Sequence, residues 1–513
     1  MKAIDRRTFL KQASAVGASL MLSNASRLYG GISVSKRPNI LFAIADDASH
    51  MSAYGDKWLN TPHFDRVAEE GVLFTNFFVT NPKCAPSRAC TLTGRHTWEL
   101  KEACNHWCVF PGDLTVYTDL LGADGYHVGH TGKGWAPGDW RREGRQNNPA
   151  GKDYHGRTLK PPAKHISNKD YAANFCDFLD ARPENTPFCF WYGGHEPHRA
   201  YEKGVGVRHG KQTADVNVPA YWPDEELVRS DMLDYAFEIE WFDEHLGRML
   251  RTLEEMGELD NTLVVVTSDN GAPFPRVKGQ MYEDDCHLPL AVRWPEACPG
   301  GRVVDDLVSC VDFAPTFLEV AGAAIPADMT GSSFLNILES DKSGWIEPTR
   351  DAVFLGRECH DLGREGDRGY PVRCIRTREF FYSRNFTPDR WPAGNPETGF
   401  TGMDSSPTKD RILELHDQGV DKWFDLSMGK RPAEELYRIT DDSECMQNLA
   451  AEPAYAEIKE QLWARLKKML EDTGDPRIFG NGDIFDTYEY VGWEKASHSW
   501  KAYVEGRWQK QRY

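Results

Sequence analysis

Four apolar runs in this chain end abruptly at polar residues that have no place inside a sheet. Ile40–Ala45 runs into Asp46-Asp47, and Gly125–His130 runs through Thr131-Gly132 into Lys133. Phe188–Tyr192 runs through Gly193-Gly194 into His195, and Leu263–Val266 runs through Thr267-Ser268 into Asp269-Asn270. Near-continuous apolar runs mark strands buried on both faces, which requires a parallel sheet covered by helices. Helical spacing over 61–70, 171–179 and 233–253 separates these runs. The alternation predicts an α/β fold, a large and mostly parallel sheet sandwiched by helices. In such sheets ligands bind beyond the carboxyl ends of the strands, where all four polar endings gather.

Beyond about Asp341 the strand pattern fades while Gly, Pro and charge increase. The expected organisation is a catalytic domain over 37–340 and a smaller C-terminal α+β lobe over 341–513. Residues 1–25 form a separate segment: the paired Arg6-Arg7, the uncharged stretch Gln12–Ala25 and its small-residue end read as a twin-arginine export signal. The expected location is therefore periplasmic or secreted. No other stretch has the length of a membrane span, so none is expected in the mature chain.

The chain has 513 residues and a formal net charge of −18, with the acidic excess spread along its length. That distribution excludes nucleic acid as a partner, because neutralising phosphates needs a basic face. It leaves anionic sugars open, since a pocket can be basic inside an acidic protein. Twelve cysteines in an exported chain make pairing conceivable, with Cys104 and Cys108 as candidates. Their spacing holds no zinc-type CxxC pair of pairs. Asp46, Asp47, Asp269 and Asn270 are hard oxygen ligands delivered to one sheet edge, suited to Ca²⁺ or Mg²⁺. Without a cation, carboxylates so close would raise one another's pKa.

The stretch Cys84-Ala85-Pro86-Ser87-Arg88, continuing to Thr93-Gly94-Arg95, resembles the signature of the formylglycine-dependent sulfatases. Ser268-Asp269-Asn270-Gly271, Lys278-Gly279-x-x-Tyr282-Glu283 and Leu288-Pro289-Leu290 follow in that family's order, and Glu435-Leu436-Tyr437 resembles its C-terminal block. The blocks His195-Glu196-Pro197-His198-Arg199, Asn270–Pro275 and Tyr370-Pro371-Val372-Arg373 look like the heparan N-sulfatase (sulfamidase) branch. The resemblance implies the alkaline-phosphatase-like fold. It implies a Ca²⁺ ion on Asp46, Asp47, Asp269, Asn270 and a Cys84 converted to formylglycine. Arg88 would hold the formylglycine diol, Lys133 and Lys278 the sulfo oxygens, and His195 would protonate the leaving atom. A maturation partner follows, either a formylglycine-generating enzyme or an anaerobic sulfatase-maturating enzyme.

Two departures stand out. Many sulfatases carry a histidine two residues after the lysine, where this chain has Trp135; His130 and His155 are candidate substitutes. His287 replaces a common arginine and is expected to be structural. On the substrate side, Arg199, Glu358, His360 and Arg373 are candidate sugar contacts, and Trp391 is either a pocket wall or lobe packing. The expected substrate is a sulfated carbohydrate, N-sulfoglucosamine ahead of O-sulfated sugars. The alternatives are a phosphatase or phosphonate hydrolase of the same superfamily, and a non-catalytic glycan-binding relative.

Overall fold

The computed structural model describes residues 37–509, and the expected signal segment over 1–25 lies outside the described residues. The main sheet has nine strands: β1 Asn39–Ala45, β2 Val72–Phe78, β3 His127–Gly132, β4 Lys152–Asp153, β5 Phe188–Gly193, β6 Thr262–Ser268, β7 His287–Arg293, β8 Arg302–Val304 and β9 Val308–Ser309. Their order is β8-β2-β7-β6-β1-β5-β3-β4, with β9 also pairing with β2. Only β7 runs against its neighbours β2 and β6.

Every residue of β1, β5 and β6 is buried, as their near-continuous apolar sequences require. Alternate residues serve opposite faces. Leu41 and Ala43 join the core under the helices Pro62–Glu70, Tyr171–Asp180 and Glu226–Glu255. Phe42 points the other way, its ring 5.1 Å from Phe313 and 5.4 Å from Phe317 on the helix Phe313–Val320. The register aligns the strand ends. Ala45 lies opposite Ser268, Ile44 opposite Gly193, and Gly193 opposite Gly132. Asp46, Lys133 and Asp269 therefore leave the sheet at one edge. The approach is tight, since a Cβ at Gly193 would fall 1.9 Å from the Lys133 carbonyl oxygen.

The second sheet, β10 Ala352–Arg357, β11 Val372–Thr377, β12 Phe380–Asn385 and β13 Glu434–Arg438, is antiparallel throughout. The helix Ala456–Asp472 covers it with Leu462, Leu466 and Leu470, an i, i+4 stripe. Val353, Leu355, Val372 and Phe381 share a core with Phe78, Met281 and Leu307 of the main-sheet half. Ala393, Phe400, Ile412 and Met428 belong instead to the core of the large sheet. The described residues thus form one contact unit in which the C-terminal half packs on both cores. Among them no helix is long and apolar enough to cross a membrane. All twelve cysteines, Cys104 and Cys108 included, are free thiols.

Candidate active site

Cys84 is the first residue of the fully buried helix Cys84–Thr93, whose N-terminus points at the ends of β1 and β6. Its sulfur lies 3.3 Å from Asp46 Oδ1 and 3.8 Å from Asp47 Oδ1. Burial, then Asp46, pushes the thiol well above its ordinary range. Three carboxylates meet three cations here. Lys133 Nζ donates to Asp46 at 2.6 Å, Lys278 Nζ to Asp47 at 2.7 Å, and Arg88 Nε to Asp269 at 2.7 Å. Arg88 Nη1 donates to the carbonyls of Lys133 and Gly134 at 2.6 and 3.1 Å, while buried Nη2 has no hydrogen-bond partner among the described residues and stands 3.6 Å from Asp46 Oδ1.

Burial opposes the charge on Asp46, but Lys133, His198, Arg88 and Lys278 hold it well below the usual carboxylate range. Asp269 goes the other way, pushed up to about 7 by burial against the pull of Arg88. The residues fit a hard cation. One ligand atom from each of Asp46, Asp47, Cys84 and Asp269 lies within 4.8 Å of the others. Asn270 Nδ2 donates to Asp47 Oδ1 at 2.7 Å, which leaves its buried Oδ1 with no hydrogen-bond partner among the described residues. An orphaned amide oxygen beside three carboxylates suits Ca²⁺ or Mg²⁺ and does not suit zinc.

A cavity of about 220 Å³ opens over Cys84, lined by Lys133, Lys278, Lys83, His106, His198 and Asp361 among others. It is His198, not the expected His195, that joins this wall. His198 Nδ1 donates to the Arg199 carbonyl at 2.6 Å, which directs Nε2 away from the backbone. Asp46, Cys84 and His198 also form a close cluster. His195 instead lies against the Tyr171 ring, and burial pushes it down to about 3.

The four expected sugar contacts do not line the cavity, and each makes its hydrogen bonds to other side chains. Arg199 forms a two-pronged pair with Asp231 at 2.7 and 2.8 Å and donates to the Pro273 carbonyl. Glu358 accepts from Arg373 and Arg477, and Arg373 also pairs with Asp475, in a network buried behind the second sheet. His360 Nε2 meets Asn81 Oδ1 at 2.6 Å. The substitutes considered for the missing histidine are also elsewhere: His130 Nδ1 holds the Gly151 carbonyl and its ring packs on His155. Trp135 is fully buried against Phe110, and Trp391 packs on the main core. His287, stacked on Phe78 with Nε2 on the Thr75 carbonyl, is structural as expected.

Sequence reasoning missed Lys83, His106, Asp361 and Asp404 of the cavity wall, the last paired with Lys278 Nζ at 3.2 Å. Lys83 precedes the nucleophile directly and Asp361 ends the charged run from Arg357, so both had a signal. His106 had none.

A helix-borne Cys84 stands at the carboxyl edge of a mostly parallel sheet, ringed by paired carboxylates and cations, in an alkaline-phosphatase-like fold. The chain belongs to the Sulfatase family, whose model matches residues 38–323, and acts on sulfate esters or sulfamates. It is 29% identical over 402 residues to an N-acetylglucosamine-6-O-sulfatase of Bacteroides thetaiotaomicron, covering 60% of this chain and 72% of that one. It is 28% identical over 496 residues to the human N-sulphoglucosamine sulphohydrolase, covering 87% and 93%. A protein solved in complex with its substrate D-glucosamine-2-N,6-O-disulfate shares the fold at TM-score 0.63 and 23% identity, over 86% of this chain and 99% of that one.

Proposed function

We propose that this enzyme removes the sulfo group from N-sulfoglucosamine in a sulfated glycan, with formylglycine at position 84 and Ca²⁺ on Asp46, Asp47, Asp269 and Asn270. The observation that carries this reading is the convergence of Cys84, Lys133, Lys278 and His198 at one cavity, with Arg88 paired to Asp269 of the adjoining carboxylate cluster. The near full-length match to the human N-sulphoglucosamine sulphohydrolase supports the sulfamate over a sulfate ester. The match to a 6-O-sulfatase supports the second reading, an O-sulfatase on a glucosamine unit. Export by the twin-arginine route, which carries folded proteins, fits oxidation of Cys84 by a maturation enzyme before transport.

Position 84, as formylglycine hydrate, supplies a hydroxyl nucleophile and a second hydroxyl for releasing sulfate. Ca²⁺, when bound, supplies a Lewis acid that polarises a sulfo oxygen and acidifies that hydroxyl. The remaining work falls to side chains already in place. Lys133 and Lys278 are buried cations at the cavity wall, fixed before substrate arrives, and they stabilise negative charge as it spreads over the sulfo oxygens. Arg88 Nη2, without a hydrogen-bond partner among the described residues, is available to orient the group at position 84. His198 is placed to donate a proton from Nε2 to the departing nitrogen or oxygen, with Nδ1–H held by the Arg199 carbonyl.

The test is sulfate release by ion chromatography from glucosamine N-sulfate, glucosamine 6-sulfate and N-acetylglucosamine 6-sulfate, beside phosphate release from a phosphate monoester. Turnover of the N-sulfate ahead of the esters supports the proposal. Ester-only turnover moves the assignment to an O-sulfatase, and phosphate release alone overturns it.

A further inference from the structure

The cavity has a charged floor and an apolar wall, and the chemistry at Cys84 uses only the floor. Cys84 and Lys278 on the floor are almost fully buried, whereas Trp107 on the wall is half-buried. Pro137 and Tyr490 line the cavity with it, and the backbone makes the three neighbours. Residues 108–109 pair in parallel with 138–139, Cys108 opposite Gly138, so Trp107 and Pro137 enter that pairing side by side. The Val491 amide donates to the Trp107 carbonyl at 2.7 Å, which brings Tyr490 to the same place. Trp391, the residue expected to form a pocket wall, packs on the main core instead.

The Trp107 backbone lies at φ +49°, in the left-handed region that a bulky residue adopts only under constraint. Both flanks supply the constraint: the His106 amide donates to the Cys359 carbonyl at 3.0 Å, and Cys108 begins the parallel pairing. Large indoles elsewhere in the chain fill the core, as Trp135, Trp191 and Trp294 do. Trp107 does not. Its one ring neighbour among the described residues is His106, with centroids 6.2 Å apart and planes at 69°, so no ring lies flat on the indole. The fold therefore holds an indole at a strained position and leaves part of its surface uncovered at the cavity.

We infer that Trp107 is a specificity-determining residue whose indole face receives the C–H face of the sugar ring that bears the sulfo group. A pyranose carries its hydroxyls at the rim and C–H bonds on its faces, and weakly positive C–H groups suit the negative face of an aromatic ring. The anionic sulfo group has no use for such a wall and is drawn to Lys133 and Lys278 on the floor. Trp107 thus selects for a ring behind the sulfo group, and the lysines select for the sulfo group itself. The inference rests on the sulfated-sugar reading above. Stacking of this kind is present before and during the reaction alike, so its loss raises KM and leaves kcat nearly as it was.

The experiment uses the matured full-length enzyme and its Trp107→Ala, Trp107→Leu and Trp107→Phe variants, each normalised to formylglycine content by mass spectrometry. Two quantities are measured: kcat and KM for whichever glucosamine sulfate the wild type hydrolyses, and the inhibition constant of inorganic sulfate, which reports the sulfo subsite alone. Trp107→Ala and Trp107→Leu are expected to lose about tenfold in kcat/KM through KM, with the sulfate constant moved less than about twofold. Trp107→Phe, which keeps an aromatic face, recovers most of that loss. A Trp107→Phe no better than Trp107→Leu would show that apolar bulk alone is used. Parallel losses in both quantities would show a merely structural role, and unchanged kcat/KM would show no sugar contact. Each of these three results overturns the inference and leaves the sulfatase reading intact, whereas a wild type that releases sulfate from no sugar overturns both.

Discussion

The Cys84 sulfur lies 3.3 Å from Asp46 Oδ1, which is itself 2.8 Å from Lys133 Nζ. Nucleophile position, ligand position and sulfo-binding cation thus meet within a single contact chain, so their functions are separable only by their readouts. Cys84→Ala removes the atom to be oxidised and nothing else of the wall. Sulfate release is expected to fall by on the order of 10⁴-fold, in kcat, with thermal stability nearly unchanged. Mass spectrometry of the wild-type peptide Cys84–Arg88 provides the companion measurement, since oxidation exchanges sulfur for oxygen at that position. Wild-type activity on an unoxidised Cys84 would sink the mechanism.

Asn270 Oδ1 is the orphan that the cation would satisfy. Ca²⁺ added to metal-stripped enzyme is expected to raise the thermal midpoint, because a ligand bound only by the folded state stabilises it, by ~2.7 kcal/mol at a hundred times Kd. Asn270→Ala removes one oxygen ligand and should shift the calcium dependence to higher concentration. Calorimetry with and without a chelator decides it, and a midpoint indifferent to Ca²⁺ argues that the three lysine and arginine pairs alone hold these carboxylates.

The exchange of His195 for His198 carries its own signature. A general acid matters most when the leaving group is poor. His198→Ala should cost roughly 10²-fold in kcat on a sugar sulfate and far less on a 4-nitrophenyl sulfate, whose leaving group needs no proton. His195→Ala should cost less, and equally on both, since its ring packs on Tyr171 and does not line the cavity. Steady-state kinetics with the two substrates separates them.

Glu358 takes hydrogen bonds from Arg373 at 2.7 Å and Arg477 at 2.8 Å, and is fully buried. Substituting it with alanine leaves two buried guanidinium groups short of a partner. The expected cost is about 3–5 kcal/mol of stability, read as a lower unfolding midpoint. KM for the sulfated sugar, measured well below that midpoint, should change little. A raised KM at unchanged stability would return Glu358 to the substrate.

What the sequence disclosed follows from locality. Asp46-Asp47, Lys133 and Asp269-Asn270 each end an apolar run, so the strand pattern and the parallel register together bring them to one edge. Cys84 and Arg88 lie one helical turn apart, a spacing visible in the string itself. The sugar side was not legible in the same way. Glu358, His360 and Arg373 are charged residues in a loop-rich stretch, and only the fold shows that they are consumed by Arg477, Asn81 and Asp475. His198 was in view but three residues from a better-looking neighbour. The wall with His106 depends on contacts from 105–107 to 359–361 and 485–491, a separation that no periodicity encodes.

A last prediction concerns acid stability at the seam between the two sheets. Arg376 on β11 holds both oxygens of Glu283, with Nε at 3.0 and 2.8 Å and Nη2 at 2.8 Å. Burial alone would raise the Glu283 carboxyl, but Arg376 and His287 outweigh it and hold it down at about 2, against an ordinary 4.5. In the unfolded chain the group therefore binds its proton at higher pH than in the folded one. Its stabilising contribution is complete above about pH 4.5 and is lost as pH falls from there toward 2. The unfolding midpoint of the wild type should drop across that window. Glu283→Gln should start lower, because Arg376 is left buried without its counter-charge, and should show a shallower slope between pH 4.5 and 3. Thermal scans of both proteins against pH measure the two slopes, and parallel slopes would mean that other carboxylates carry the acid transition.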